Sequence, residues 1–208
     1  MKTVIANNQV STETLKIIFE RRAVRKYLPD MPEDEEIEKI VEAGRMAPSA
    51  MNQQPWKFYI ATHKDTIASF SNEIAKITSK VALKHPLETI KTLLNFSSGP
   101  IGHYSEDAIF HGAPVVIFIT APRDNEWAGL DTGMCAQNMM LAAKSLGLDT
   151  CPVGFAKYIE KTPVYHKLGI PPAEEVQLAV LLGYGAEKPE PHPRVKDNAI
   201  FIDRMECC

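Results

Sequence analysis

The stretch PVVIFITA, residues 114–121, carries no charge and no helical spacing. An apolar run of this length, rich in β-branched and aromatic side chains, reads as a strand buried on both faces. Such a strand needs a layer above it and another below, so the rest of the chain is arranged around it. Upstream, WKFYIA (56–61) alternates and sets Trp56, Phe58 and Ile60 on one face of a second strand. Downstream, VQLAVLLGY (176–184) is a third. Helical patterns separate them. Leu15, Ile18 and Phe19 repeat at helical spacing behind a cap at Ser11 or Thr12. A second helix starts near Pro32, with Glu33, Asp34, Glu35 and Glu36 in its positive first turn. Its buried stripe is Ile37, Ile40, Val41 and Gly44, and Pro48 ends it. Residues 64–84 repeat Ile67, Phe70, Ile74, Ile77 and Val81, and a short helix is expected over 87–94. Residues 129–146 hold Asp131 and Lys144 as their only charges, which predicts a mostly buried helix stopped by Gly147. Thr162 and Pro163 open a short helix that Gly169 closes. Few strands separated by helices give an α+β or mixed α/β class with one central sheet.

Composition excludes several functions. The 208 residues are 45% hydrophobic and 24% charged, with a formal net charge of −3. That is an ordinary globular composition without the broad basic surface of a nucleic-acid binder. No run of eighteen apolar residues predicts a membrane span. Cys135, Cys151, Cys207 and Cys208 match neither a zinc site nor a disulfide framework, so the expected compartment is reducing and cytoplasmic. His63, His85, His111 and His166 share no ligand spacing, and no metal is expected.

Against this acidic background, FERRAVRKYLPDMP (19–32) packs Arg21, Arg22, Arg25 and Lys26 into six residues. If the first helix continues, Arg21 and Arg25 share a face and form a fork for a phosphate. A solvated face paired with the acidic run at Glu33–Glu36 is the alternative. No GxGxxG or Walker sequence is present. APSAMNQQPW (47–56) offers Ser49, Asn52, Gln53 and Gln54 on a turn, groups that suit a planar heteroaromatic with carbonyls and ring nitrogens. NFSSGPIGHYSED (95–107) has no period and reads as a long loop. GAEKPEPHPRVKD (185–197) is too polar and proline-rich to build its own core and must lie on a surface, its own or a partner's.

Taken in order, RRAVRKY (21–27), APSAMNQQPWKFYI (47–60), HGAPVVIFITA (111–121), DTGMCAQNMMLAAKSLGLDTCPVGF (131–155) and LAVLLGYGAEKPEPHPR (178–194) resemble the FMN-dependent nitroreductase family over residues 12–196. The resemblance implies a three-layer α/β/α fold with a central, mostly antiparallel mixed sheet. It also implies one domain over 1–208: an N-terminal arm (1–11), a core (12–184) and a C-terminal extension (185–208) that embraces a partner subunit. It implies a homodimer with tightly bound, non-covalent FMN at the interface. Arg21, Arg22, Ala23 and Arg25 would meet the phosphate and ribityl chain, with His192 and Arg194 completing the phosphate site. Pro48, Ser49, Ala50, Met51, Asn52 and Gln54 would line the flavin from the other subunit. Pro152, Val153 and Gly154 would lie beside the ring, a backbone N–H of this loop facing N5. The implied activity is ping-pong hydride transfer from NADH or NADPH through flavin N5 to a nitroaromatic, quinone or related small aromatic acceptor, with no side chain needed as acid or base.

Three departures from the family pattern stand out. Ala23 replaces a frequent Ser, His192 a frequent Arg or Lys, and CPVGF lacks the Glu of some members. His103, Tyr104 and Phe155 are candidate substrate contacts, and Cys151 reads as an inert buried thiol. Two alternatives remain at this point. One is a same-fold flavoenzyme of other chemistry, a reductive dehalogenase or a flavin-degrading oxygenase. The other is an FMN-binding protein without turnover.

Overall fold

The computed structural model describes residues 13–84, 107–200 and 202. In chain order its elements are α1 (Glu13–Glu20), α2 (Asp34–Arg45), β1 (Lys57–Ala61), α3 (Lys64–Lys84), β2 (Val115–Pro122), α4 (Ala128–Ser145), β3 (Asp149–Val153) and β4 (Glu174–Gly183). Short 3-10 turns span Ala50–Asn52, Gly154–Lys161 and Tyr165–Leu168. The helix expected over 87–94 and the loop up to residue 106 lie outside the described residues.

The strands form one sheet in the order β1-β2-β4-β3, with every pairing between them antiparallel. The parallel component is confined to an isolated bridge between Ala23 and Thr150. β2 is central and buried from Val115 to Ala121, as its uninterrupted apolar run requires. Its side chains alternate between two cores. Val115, Ile117 and Ile119 pack with α2 and α4 residues such as Ile40 and Met139. Val116 and Phe118 pack with Ile67, Phe70 and Ile74 of α3 and with Ala156 and Ile159 of the 3-10 turn. The result is an α+β fold of three layers, helix on sheet on helix.

The stripe on α2 is buried as its spacing predicts: Ile37, Ile40, Val41 and Gly44. Glu33 and Glu36 close a reciprocal capping box at its start. Gly44 allows α2 and α4 to approach closely, since a β-carbon there would stand 2.7 Å from Met139 Cγ and 3.1 Å from Cys135 Sγ. Gly44→Ala is expected to destabilise modestly, because its β-carbon would press on Met139 and Cys135 inside a fully buried joint, which outweighs about 1 kcal/mol of helix propensity. Gly44→Val overpacks the joint and is expected to destabilise by about 1–3 kcal/mol. Thermal melts of the two variants check this, and an unchanged midpoint for Val would refute it.

Three expectations need correction. The first helix does not carry the arginines on a helical face. It ends at Glu20, and residues 21–27 run extended, because Val24 donates to Thr150 O (3.0 Å) and Tyr27 bridges Gly185. CPVGF is not simply a loop, since Asp149–Val153 is an edge strand. Pro152 is tolerated there because an edge strand can spare one donor. The alternation expected of β1 holds, with Phe58 packed on the α2 and α4 core and Tyr59 on the α3 core, while Ile60 is 44% exposed. Finally, α4 buries only one side: Cys135, Met139 and Ala143 are covered, while Gly129, Leu130 and Gly133 are exposed. A helix poor in charge can be buried in its own chain or can present an apolar outer face; charge content does not separate the two.

Candidate functional site

The extended backbone of residues 21–25 changes which arginines act together. Arg21 and Arg25 both bring their charge to bear on the buried Cys151. Arg22 turns back on its own chain, donating from Nη1 to Phe19 O (2.7 Å) and Arg21 O (2.8 Å). Its Nε is buried without a hydrogen-bond partner. Ala23 sits at the bridge to Thr150 at the start of β3. The tail joins from the other side, where Ala186 donates to Lys26 O (2.8 Å) and Arg25 N–H donates to Glu187 Oε1 (2.6 Å). This pairing brings Arg194 into the field of Arg21, 173 positions earlier in the sequence. Burial lowers the Arg21 pKa first, and the neighbouring charges of Arg22 and Arg194 lower it further. Arg194 Nη1 donates to His192 O (3.1 Å), and both residues are exposed. Arg21, Arg22 and Arg194 thus share one charge field at the corner where β3 begins and β4 ends, and Arg25 is tied there through its backbone N–H to Glu187.

Beside this corner runs the strand that leads to Pro152, Val153 and Gly154. Val153 is buried, whereas Pro152 and Gly154 are exposed. A β-carbon at Gly154 would meet nothing within 4 Å, so the backbone there borders open space. Phe155 follows, 56% exposed, its ring centroid 6.3 Å from that of Tyr158. Cys151 is buried, and burial raises its pKa, with Arg25 and Arg21 pulling the other way. A thiol held protonated in this manner is a poor nucleophile.

His111 also faces the arginine corner. It adopts φ 56°, and its imidazole is held below its ordinary value by burial first and by Arg25 second, while Asp107 and Glu187 oppose them. As pH falls below the ordinary histidine value of 6.5, the unfolded chain takes up a proton that the folded chain resists. Stability is therefore lost as pH drops from that value toward the lower folded one. His111→Asn, which tolerates left-handed backbone, is expected to lessen that fall. Melts at about pH 7 and about pH 5.5, either side of the unperturbed histidine value, check it; parallel curves for wild type and variant would count against it.

The second predicted group lies elsewhere. Residues 48–54 form a self-braced turn. Asn52 N–H donates to Ser49 O (3.0 Å) and Gln54 N–H to Ser49 Oγ (2.9 Å), while Gln54 Nε2 donates to Asn52 Oδ1 (3.2 Å). Met51, Asn52 and Gln54 take φ of 50°, 56° and 49°. Pro48, Met51, Asn52 and Gln54 are exposed, Met51 by 83%. Left-handed backbone at residues other than glycine is uncommon and concentrates at functional sites. The turn feeds Lys57, which pairs with Thr120 near the far end of β2 on the β1 edge. The arginine corner lies at the β3 edge and the near end, where Leu182 faces both Val115 and Thr150. The two groups are separated by about 14 Å across three strand spacings and about 17 Å along β2 from Thr120 to Val115. Within one chain they occupy opposite corners of the sheet.

Two participants carried no sequence signal strong enough to be singled out. Glu187 lies among the tail's polar residues, and Asp131 was visible only as a rare charge in an apolar helix. The candidates His103 and Tyr104 lie outside the described residues. Among the described residues, no group of three or more His, Cys, Asp or Glu could hold a metal ion.

Comparison with known proteins agrees with this architecture. 4-Nitrobenzoate reductase of Pseudomonas putida is 27% identical over 196 residues, spanning 82% of this chain and 85% of that protein. Nitrobenzene nitroreductase of Ectopseudomonas oleovorans is 29% identical over 220 residues, spanning 91% and 92%. A nitroreductase with bound FMN from Bacteroides fragilis superposes with a TM-score of 0.74 at 25% identity, over 93% of this chain and 100% of that one. One from Desulfitobacterium hafniense, also with bound FMN, gives 0.75 at 26%, over 92% and 99%. The Nitroreductase family model matches residues 18–184, which includes the sheet, both helical layers and Arg21, Arg22 and Arg25. With that span and this fold, the chain belongs to the nitroreductase family.

Proposed function

We propose that this chain is an FMN-dependent NAD(P)H oxidoreductase that works as a homodimer and reduces a nitroaromatic, quinone or related small aromatic acceptor. The observation that carries the reading is the tail's pairing with residues 25–26, which brings Arg194 into the charge field of Arg21, while Arg21 and Arg25 both act on the buried Cys151. Arg22 lies beside them with a buried, unpartnered Nε. Like charges gathered with one carboxylate among them repel, and a phosphate monoester, with close to two negative charges, would relieve that repulsion. The chemistry of the residues fits FMN. Arg21, Arg25 and Arg194, with His192, would hold the phosphate, Arg22 and Ala23 would border the ribityl chain, and the open backbone at Gly154 leaves room for a planar ring.

When bound, FMN supplies hydride acceptance from NAD(P)H and delivery to the acceptor. The chain's own residues position, enclose and neutralise. Pro152, Val153 and Gly154 would offer backbone beside the ring, and Phe155 an exposed aromatic face to the acceptor. The turn at 48–54 would reach the same ring from a second copy, because one chain holds the two groups at opposite corners. A second copy also accounts for apolar surface that one chain leaves uncovered. α1 has no buried residue, with Leu15, Ile18 and Phe19 each 39–47% exposed. Beside it, α4 presents Leu130 at 59%. The tail from Lys188 to Ile200 has no regular structure, and Val195 and Ile200 are 76% and 88% exposed, which suits a segment that crosses to a partner. Among the described residues no helix is long and apolar enough to cross a membrane.

The test is an absorption spectrum of the purified protein, acid release of any chromophore and its identification by mass. FMN near one per subunit, bleached by NADH or NADPH without air, is the expected result. A colourless protein that refuses added FMN would break the reading, and bound FMN that neither nucleotide bleaches would favour a binding protein without turnover.

A further inference from the structure

We infer that Asp131 is a positioning residue that holds the 48–54 turn in its left-handed conformation and thereby sets the affinity for FMN. Asp131 is fully buried in the first turns of α4. Its Oδ1 accepts the backbone N–H of Ala50 at 3.1 Å, across 81 positions of sequence. Its Oδ2 is buried with no hydrogen-bond partner. A carboxyl group withdrawn from water with one hydrogen bond and one unmet oxygen is unfavourable for stability alone. An apolar residue would suit that helix position better if packing were the only demand.

What Asp131 secures is the turn. Ala50 immediately precedes Met51 and Asn52, two residues at positive φ. Among the described residues, the turn's other hydrogen bonds run within it, from Asn52, Gln53 and Gln54, or join side chains such as Asn125 and Gln53. The Asp131–Ala50 bond is the one that ties the turn's backbone to a buried group of the core. Without it, residues 51–54 can relax toward ordinary backbone, and the groups they present lose their placement. The link to FMN rests on the functional reading above; the link to turn geometry does not.

The experiment uses the full chain as wild type, Asp131→Ala, Asp131→Asn and Ala50→Pro. Proline suits the first position of a helical turn and removes the Ala50 donor without touching the core. Amide hydrogen exchange at residues 51–54 and FMN titration by flavin fluorescence are measured on each. In Asp131→Ala and Ala50→Pro, exchange should quicken and FMN affinity fall by about tenfold or more, as loss of one anchoring hydrogen bond implies. Asp131→Asn keeps the acceptor oxygen and should recover most of both. Unchanged exchange and affinity in Ala50→Pro would overturn the inference, as would equal losses in Asp131→Asn and Asp131→Ala, which would assign the effect to charge. Should Asp131→Ala fail to fold, Ala50→Pro decides. If the wild type does not bind FMN, the functional reading fails, and the exchange data alone decide the role of Asp131.

Discussion

Replacing Arg21 and Arg194 together by glutamine is expected to abolish FMN binding at micromolar concentrations while leaving the ligand-free chain at least as stable as before. The two effects have opposite signs for one physical reason. Without an anion, the Arg21 guanidinium is disfavoured by burial and by the positive charges of Arg22 and Arg194. Removing two of these charges relieves repulsion in the ligand-free protein. With a phosphate present, each guanidinium contributes charge-assisted hydrogen bonds of about 1.5–3 kcal/mol, so the double variant should weaken binding by a factor on the order of 10²–10⁴. Affinity of the wild type should also fall as salt is raised, since part of the attraction is screened. Flavin fluorescence titration and melts of the ligand-free protein measure the two signs separately. Lower ligand-free stability with unchanged affinity would make these arginines ordinary surface groups.

The second large effect is expected at the outer face of α4. Leu130→Asp should convert the proposed dimer into a monomer and remove the proposed flavin in the same step. Leu130 sits on an open apolar groove with Pro48, Gly129, Gly133 and Met134, beside the exposed side of α1. An isolated eight-residue helix with no buried residue is too short to persist in water unless something covers it. A two-fold dimer would bury Leu130 twice, so an unpaired carboxylate there is penalised twice. At several kcal/mol per buried charge, the dissociation constant should rise by at least about 10³-fold. Loss of flavin follows from geometry rather than from contact, because a lone chain keeps its arginines and its 48–54 turn at opposite corners. Sedimentation velocity read at protein and flavin wavelengths tests both. A variant of unchanged size that keeps its flavin would refute the dimer and the shared site together.

The local elements were legible because each rests on nearby residues. β2 followed from an uninterrupted apolar run, the α2 stripe from its spacing, and the α2 start from an acidic first turn that became a capping box. Gly147 and Gly169 stand at positive φ just past the helical segments they were expected to end. The errors were also local inferences, made where distant partners decide. Arg21–Tyr27 looked like a continuation of α1 until Thr150 and Gly185 drew it into bridges. Asp149–Val153 did not look like a strand because proline argues against one unless the strand is known to lie at an edge.

The candidate site divides the same way. The sequence by itself determined which groups are present: a basic cluster in an acidic chain, a polar turn between a helix and a strand, and a proline-rich tail ending in Arg194. It also determined the central strand, because side-chain transfer from water is a property of the residues themselves. Only the tertiary structure decided that residues 21–27 run extended beside β3, and that Glu187 and Arg194 of the tail join them. It alone set Asp131 beneath the 48–54 turn and the turn diagonally across the sheet from the arginines. Those placements depend on contacts between residues 81 to 173 positions apart, and the strength of a hydrogen bond or charge pair depends on distance and burial, which no local pattern encodes.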